Sequence, residues 1–228
     1  MLTWSEIDTV MFDMDGTVLD LHFDNYFWQI LVPTVYGQKH GLDPQEAAAL
    51  IHGKYASAQG SLNWYCMDFW SITLDLDIGR LKEETRHRIA VRPYAVELLE
   101  RLRQHDKRVL LVTNAHPDSL NLKMRHTGLA GHFHSTISSH DLGLAKEHEG
   151  FWTSLREVEH YEPGRTLLID DTLTVLRRAR EEGIAHLLAI HQPDSRESPL
   201  AAQEFRQVED FRQIMPPMPE ISRMASNQ

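Results

Sequence analysis

The 228-residue chain is short of several things, and each shortage narrows its chemistry. Cysteine occurs once, at Cys66, so an intrachain disulfide is impossible and nothing calls for an oxidising compartment. No apolar run approaches the roughly 18 residues of a membrane helix. The opening residues enter a predicted strand without a basic-then-apolar leader pattern, which makes a cytoplasmic location the expectation. Positive charge is also scarce: Lys+Arg 23 against Asp+Glu 33 gives a formal charge of -10. A surface of that sign repels nucleic-acid backbones and anionic lipid, so neither a nucleic-acid polymer nor a membrane is the expected partner, although a local basic pocket remains compatible. Internal repeats and low-complexity tracts are absent as well. Histidine is plentiful at 14, but His132 and His134 have no H-E-x-x-H or cysteine cluster beside them and read as solvated loop histidines rather than zinc ligands.

What is present begins with Ile7 to Leu19, I-D-T-V-M-F-D-M-D-G-T-V-L. Thr9 to Phe12 is a short β-branched and aromatic run, the pattern of a buried strand. It stops at Asp13, with Asp15 two positions on, Gly16 supplying the backbone freedom of a sharp turn and Thr17 a hydroxyl. Turn-forming or capping acids are the bland explanation for such a pair. Two carboxylates this close to a buried strand end, however, repel each other and raise a pKa unless a cation or proton lies between them.

From Asp20 to about Val91 the pattern becomes helical and aromatic. Phe23, Tyr26, Phe27, Ile30 and Leu31 fall at helical spacing. Gln45 to His52 follows Pro44 behind an Asp43 cap. Trp64 to Trp70 and Leu81 to Ala90 complete an insertion of roughly 70 residues, near the lower limit for an independent module. Beyond Pro93, strand and helix alternate: helix Tyr94 to Gln104 with Val96, Leu99 and Leu102 on one face, strand Arg108 to Val112, helix Pro117 to His126 closed by Gly128, strand Phe133 to Ser138, helix Glu147 to Val158, strand Thr166 to Ile169, helix Leu173 to Glu182 closed by Gly183, and strand Ala185 to Ile190. This alternation predicts a doubly wound parallel α/β sheet with helices on both faces. Phe205 to Val208 is a candidate edge strand, with Asp210 capping a short helix through Phe211 and Ile214. The stretch 216–228 lacks periodicity and reads as a flexible tail.

Three predicted strands end in polar groups: Asp13 and Asp15, Thr113 and Asn114, and Asp170 and Asp171. In a parallel sheet these ends share one edge, so residues about a hundred positions apart converge there. Lys146, placed in the loop or first turn before the Glu147 helix, lies on the same side. Each has a bland alternative, as a strand-end turn, a helix cap or a solvated lysine, but jointly they form a phosphoryl-transfer set. Such chemistry needs charge neutralisation and in-line positioning. Asp13 and Asp171 suit Mg2+, which takes hard oxygen ligands, with Asp170 behind them or as a further ligand. Lys146, the Thr113 hydroxyl and the Asn114 amide or backbone suit the phosphoryl oxygens, beside the Gly16 turn. Asp13 is the candidate nucleophile, forming an aspartyl-phosphate, and Asp15 the acid that protonates the leaving alcohol and then takes a proton from water.

The order D-M-D-G-T, V-T-N, A-K-E and I-D-D resembles the haloacid dehalogenase (HAD) superfamily from Asp8 to about Ile190. That resemblance implies a Rossmann-like core over 1–19 and 92–215, a helical cap over 20–91 closing on the substrate, and the backbone carbonyl of Asp15 as a further metal ligand. Leu19 to Trp28, Val91 to Tyr94, Thr113 to Pro117 and Ser138 to Trp152 are similar to stretches of the bacterial GMP/IMP 5'-nucleotidases. This implies a nucleoside monophosphate as substrate; for the assembly, a monomer or homodimer is the expectation. Two departures stand out. Val175 and Leu176 occupy positions where many relatives carry another acid, for which Asp170 compensates, and Ala145 replaces a proline expected before the lysine.

The cap aromatics Phe23, Tyr26, Phe27, Trp28, Trp64, Tyr65, Phe69 and Trp70 read first as the core of a small helical module, one or two being free to stack on a purine. His22, Asn25, Lys54 and Asn63 are the candidate polar specificity groups. The alternatives in the same fold are a sugar-phosphate phosphatase or phosphomutase, dehalogenase chemistry (which uses neither a metal nor the acid at Asp15), and a catalytically silent phosphate-binding module.

Overall fold

The computed structural model describes residues 2–201 and 204–218. The expected flexible tail lies outside the described residues from 219 onward. Its described beginning is tied down, since the Pro216 carbonyl accepts from Arg101 Nη1 at 3.2 Å and the Pro217 carbonyl lies 2.7 Å from His105 Nε2.

Strand β1 (Thr9–Phe12) is buried along its whole length, as its run of Thr, Val, Met and Phe requires. Five helices follow: α1 (His22–Tyr26), α2 (Val32–His40), α3 (Pro44–Ala58), α4 (Met67–Leu74) and α5 (Ile78–Thr85). A π-turn, Phe27–Leu31, joins the first two. Asp43 caps α3 as expected, accepting from Gln45 N and Glu46 N. The last helix of the group begins earlier than the Leu81 start read from the sequence, because Asp77 accepts from Arg80 N and opens it at Ile78.

The alternating half then runs α6 (Ala95–Gln104), β2 (Arg108–Thr113), α7 (Pro117–Thr127), β3 (Ser135–Ser138), α8 (Ser139–Leu142), α9 (Phe151–Val158), β4 (Thr166–Asp170), α10 (Leu173–Glu181), β5 (His186–Ile190) and β6 (Gln207–Val208). Two differences from the sequence reading matter. Helix α8 was not expected; a capping box between Ser138 and Asp141 starts it directly at the end of β3. The helix expected from Glu147 begins only at Phe151, behind Gly150 at φ 85, a conformation that interrupts an α-helix. Lys146 is therefore in the loop, four residues or more before the helix start.

The six strands form one all-parallel sheet in the order β3-β2-β1-β4-β5-β6. Side chains alternate across it. Val10 and Phe12 pack with α6 and α7 through Leu98, Leu99, Leu102, Leu120 and Met124, whereas Met11 faces α9 and α10 through Phe151, Leu155, Val175 and Leu176. The first layer runs without interruption into the helical insertion, where Phe23, Phe27, Ile51, Tyr55 and Trp70 continue the same apolar cluster. The chain enters and leaves that insertion side by side: Asp20 N donates to Ala90 O and Arg92 N to Val18 O, both at 2.9 Å, with Leu19 bridging Val91 antiparallel.

Candidate active site

Strand order explains why the acids meet. β1 is central, with Phe12 opposite Leu111 of β2 on one side and Ile169 of β4 on the other, so Asp13 and Asp170 leave neighbouring strands at one level, with Thr113 one residue further on. This is where the sheet order reverses, the usual ligand crevice of a doubly wound fold. Asp13 N donates to Ile169 O at 3.0 Å, which fixes the start of the acidic turn against β4.

Lys146 is 2% exposed and uses all three ammonium protons, on Asp13 Oδ1 (2.5 Å), Asp170 Oδ2 (2.7 Å) and Val112 O (3.1 Å). Burial alone would pull its pKa down, but the two carboxylates outweigh that and hold it above the ordinary lysine value. The carboxyl oxygens of Asp13, Asp170 and Asp171 lie within 4.8 Å of one another. Burial, followed by repulsion from Asp13 and Asp170, pushes Asp171 well above the usual carboxylate range. Burial likewise pushes Asp13 up to about 6, with Asp170 adding to it and Lys146 opposing. Three acids against one ammonium leave a buried site short of positive charge. Asp170 has both oxygens engaged, Oδ1 accepting from Thr172 N at 2.9 Å and Oδ2 from Lys146. Among the described residues, Asp171 accepts only from the Thr172 hydroxyl at 3.2 Å. Gly16, at φ 84, lies against it, where a β-carbon would stand 2.5 Å from Asp171 Oδ2.

In the loop after β2, the Asn114 side chain is committed elsewhere, which leaves only the backbone option for it at the phosphoryl group. Its side-chain oxygen accepts from Lys146 N and its amide donates to Glu147 Oε2, both at 2.9 Å. That side chain holds the Lys146 loop in place instead of being turned to a ligand. Thr113 Oγ1 accepts from Ala115 N at 3.1 Å, which leaves its own proton to donate. Tyr65 reaches across from the helical insertion to Glu147 Oε1 at 3.0 Å.

Above the acids lies a cavity of ≈ 600 Å³, within the range of small-ligand sites. Asp13, Asp15, Thr113, Lys146 and Asp171 form its polar end, and Trp28, Tyr55, Trp64, Tyr65 and Trp70 its aromatic wall. The wall is interlocked: Tyr55 donates its hydroxyl to Trp28 O and Trp70 its indole N–H to Trp64 O, both at 2.9 Å. Those polar handles are spent on backbone, so the rings present apolar faces. Of the four polar specificity candidates, Asn25 lines the cavity, its amide donating to Asp194 Oδ2 at 2.8 Å. His22, Lys54 and Asn63 do not line it; His22 instead pairs with Asp194 at 3.4 Å.

Three charged groups escaped the sequence reading. Lys123 Nζ donates to Asp24 Oδ2 at 2.6 Å and stands 2.7 Å from Asp15 Oδ1. Lys82 Nζ donates to Asp24 Oδ1 at 2.9 Å. Both lysines fall on the buried stripes of their helices, Ser119 and Lys123 on α7, Ile78 and Lys82 on α5. Lysines phased onto a buried face were the signal available. Burial opposes ionisation of Asp24, yet Lys123 and then Lys82 hold it far below the normal carboxylate range. Burial pushes Asp15 up to about 6, helped by Asp24 and opposed by Lys123.

A family model for haloacid dehalogenase-like hydrolases matches residues 7–183. The chain belongs to that family. It is 41% identical over 215 residues to the GMP/IMP nucleotidase YrfG of Escherichia coli (strain K12), covering 94% of this chain and 97% of that protein, and equally to YrfG of Shigella flexneri. Among solved structures, a HAD phosphatase from Thermococcus onnurineus matches with a TM-score of 0.76 at 23% identity, covering 91% of this chain and 96% of that one. The HAD-hydrolase YfnB of Bacillus subtilis, bound to magnesium, matches at 0.60 and 17%, covering 91% and 96%. At those identities the structural matches speak for the fold alone. Among the described residues no helix is long and apolar enough to cross a membrane.

Proposed function

We propose that the chain is a Mg2+-dependent phosphatase acting on purine nucleoside 5'-monophosphates, with α1 to α5 as a cap over the site. The observation carrying the phosphatase reading is the three-way junction of Lys146 with Asp13 and Asp170 beside the nearly unpartnered Asp171. Its donors are all hard oxygens and its charge deficit calls for a small divalent cation, so Mg2+ fits, held by Asp13, Asp171 and the backbone carbonyl of Asp15. When bound, the ion neutralises carboxylate and phosphoryl charge.

The chain's own groups supply the remaining chemistry. The free oxygen of Asp13 attacks phosphorus as the bond to the leaving oxygen breaks, and Asp15 gives that oxygen its proton. Water then attacks the aspartyl-phosphate, Asp15 takes the water proton, and phosphate leaves with Asp13 regenerated. Lys146 and the Thr113 hydroxyl stabilise the phosphoryl oxygens. Nucleotide preference is supported by the relatives' named activity and by the aromatic wall, whose ring faces suit a base.

A phosphate-release screen over nucleoside monophosphates, sugar phosphates and small phospho-acids tests this. GMP and IMP are expected to lead, with activity lost in a chelator and restored by Mg2+. A chelator-insensitive enzyme, or sugar phosphates isomerised without free phosphate, would overturn the proposal.

A further inference from the structure

The Asp15, Lys123, Asp24 and Lys82 cluster joins the helical insertion to the core, since Asp24 lies on α1, Lys82 on α5 and Lys123 on α7. Both lysines are nearly sealed from water, at 2% and 1% exposed. Desolvating two ammoniums costs far more than a surface pair returns, so a purely adhesive role is a poor explanation where apolar side chains would serve as well.

The detail that points further lies on Asp15. Its Oδ1 is shut off from solvent and has no hydrogen bond, although Lys123 Nζ is 2.7 Å away. The angle of that contact lies outside hydrogen-bonding geometry, and the lysine's hydrogen bond goes to Asp24. The ammonium is also steadied over the Phe23 ring at 5.4 Å. Lys123 is thus a fixed cation beside one oxygen of Asp15. Asp15 still lines the cavity, which leaves its other oxygen, Oδ2, to face a ligand.

We propose that Lys123, anchored by the Asp24 carboxylate, is a positioning residue that holds Oδ1 of Asp15 in place and so turns Oδ2 toward the leaving group. Because the anchor belongs to α1, Asp15 is aimed only while the insertion is packed on the core. The proposal rests on the phosphatase reading above and on Asp15 as the acid.

Phenyl phosphate and 4-nitrophenyl phosphate test it. The two esters are alike in size, and 4-nitrophenoxide is the weaker base, so it leaves with less help from a proton donor. For Lys123→Met, kcat/KM on phenyl phosphate is expected to fall about 100-fold, and on 4-nitrophenyl phosphate less than about 10-fold, because only cleavage of the phenyl ester depends strongly on the acid. Asp15→Asn sets the benchmark for the same imbalance. Parallel losses on both esters, or none, would overturn the positioning role. Should Lys123→Met not give a native circular-dichroism spectrum, Asp24→Asn keeps the lysine and removes its anchor; it is expected to show the same imbalance at smaller size, and parallel losses there would equally overturn the role. A parent enzyme that hydrolyses neither ester would overturn the phosphatase reading and this inference together, whereas an active parent with parallel losses would overturn only this one.

Discussion

A β-carbon at position 16 would need the space that Asp171 Oδ2 occupies, and the φ of 84 adds strain of about 1–2 kcal/mol for any L-residue. Gly16→Ala is therefore expected to move Asp171 and weaken Mg2+ binding about tenfold, as measured by calorimetric titration, while thermal unfolding shifts by only a few degrees. An unchanged Mg2+ affinity would show that Asp171 does not hold the ion. At this scale the sequence was legible where type and position agree. Asp13, Asp15, Thr113, Lys146 and Asp171 all face one cavity, because strand ends and turns expose polar groups at places a pattern can locate. For Asn114 it left two options open, and the structure narrows them: the side chain is committed to Lys146 and Glu147, while its backbone stays at the cavity. It was silent on Lys123 and Lys82, since a lysine counts as surface unless its phase is checked against the apolar stripe of its own helix.

Element boundaries followed the same logic. β1 is the strand that was expected, because a fully buried run bounded by Asp has sharp ends. β3 begins two residues late; α9 begins four residues late, because a positive-φ glycine, Gly150, redirects the chain without changing its hydrophobicity, and a capping box at the end of β3 starts the unexpected α8 in the same way. The aromatic wall spans four elements: Trp28 in the π-turn Phe27–Leu31, Tyr55 on α3, Trp64 and Tyr65 in the 3-10 turn Leu62–Tyr65, and Trp70 on α4. Trp64 keeps its hydrogen bond to Trp70 through its backbone carbonyl, so truncating its ring spares that link. For Trp64→Ala, KM for GMP is expected to rise about tenfold, the worth of one base stack, with KM for phenyl phosphate nearly unchanged. Equal changes for both substrates would remove Trp64 from base recognition.

For the whole molecule, convergence of the site depends on a strand order that no local pattern gives. β1 lies between β2 and β4, so groups from distant parts of the chain become neighbours at one sheet edge. The same convergence makes the fold's stability depend on pH and metal. Asp13 and Asp15 have folded-state pKa values raised to about 6 from 3.8, so what they contribute to the metal-free protein is full below 3.8 and is lost as pH rises through about 6. Mg2+ favours the ionised carboxylates and reverses that loss, and protons compete with it below about pH 6. Calorimetry is expected to show Mg2+ affinity at pH 5 at least about tenfold below that at pH 7.5, with protons released on binding. A flat affinity would mean that Asp13 is not a ligand of the ion.

The most direct test of the chemistry is to look for the phosphoryl group on the protein. Enzyme mixed with GMP and Mg2+, quenched in acid during turnover and mapped by peptide mass spectrometry, should carry one phosphoryl group within residues 7–19, located on Asp13 by fragmentation and absent from Asp13→Asn. Full turnover by that variant, or a phosphoryl group found on another residue, would contradict the role of Asp13 as nucleophile.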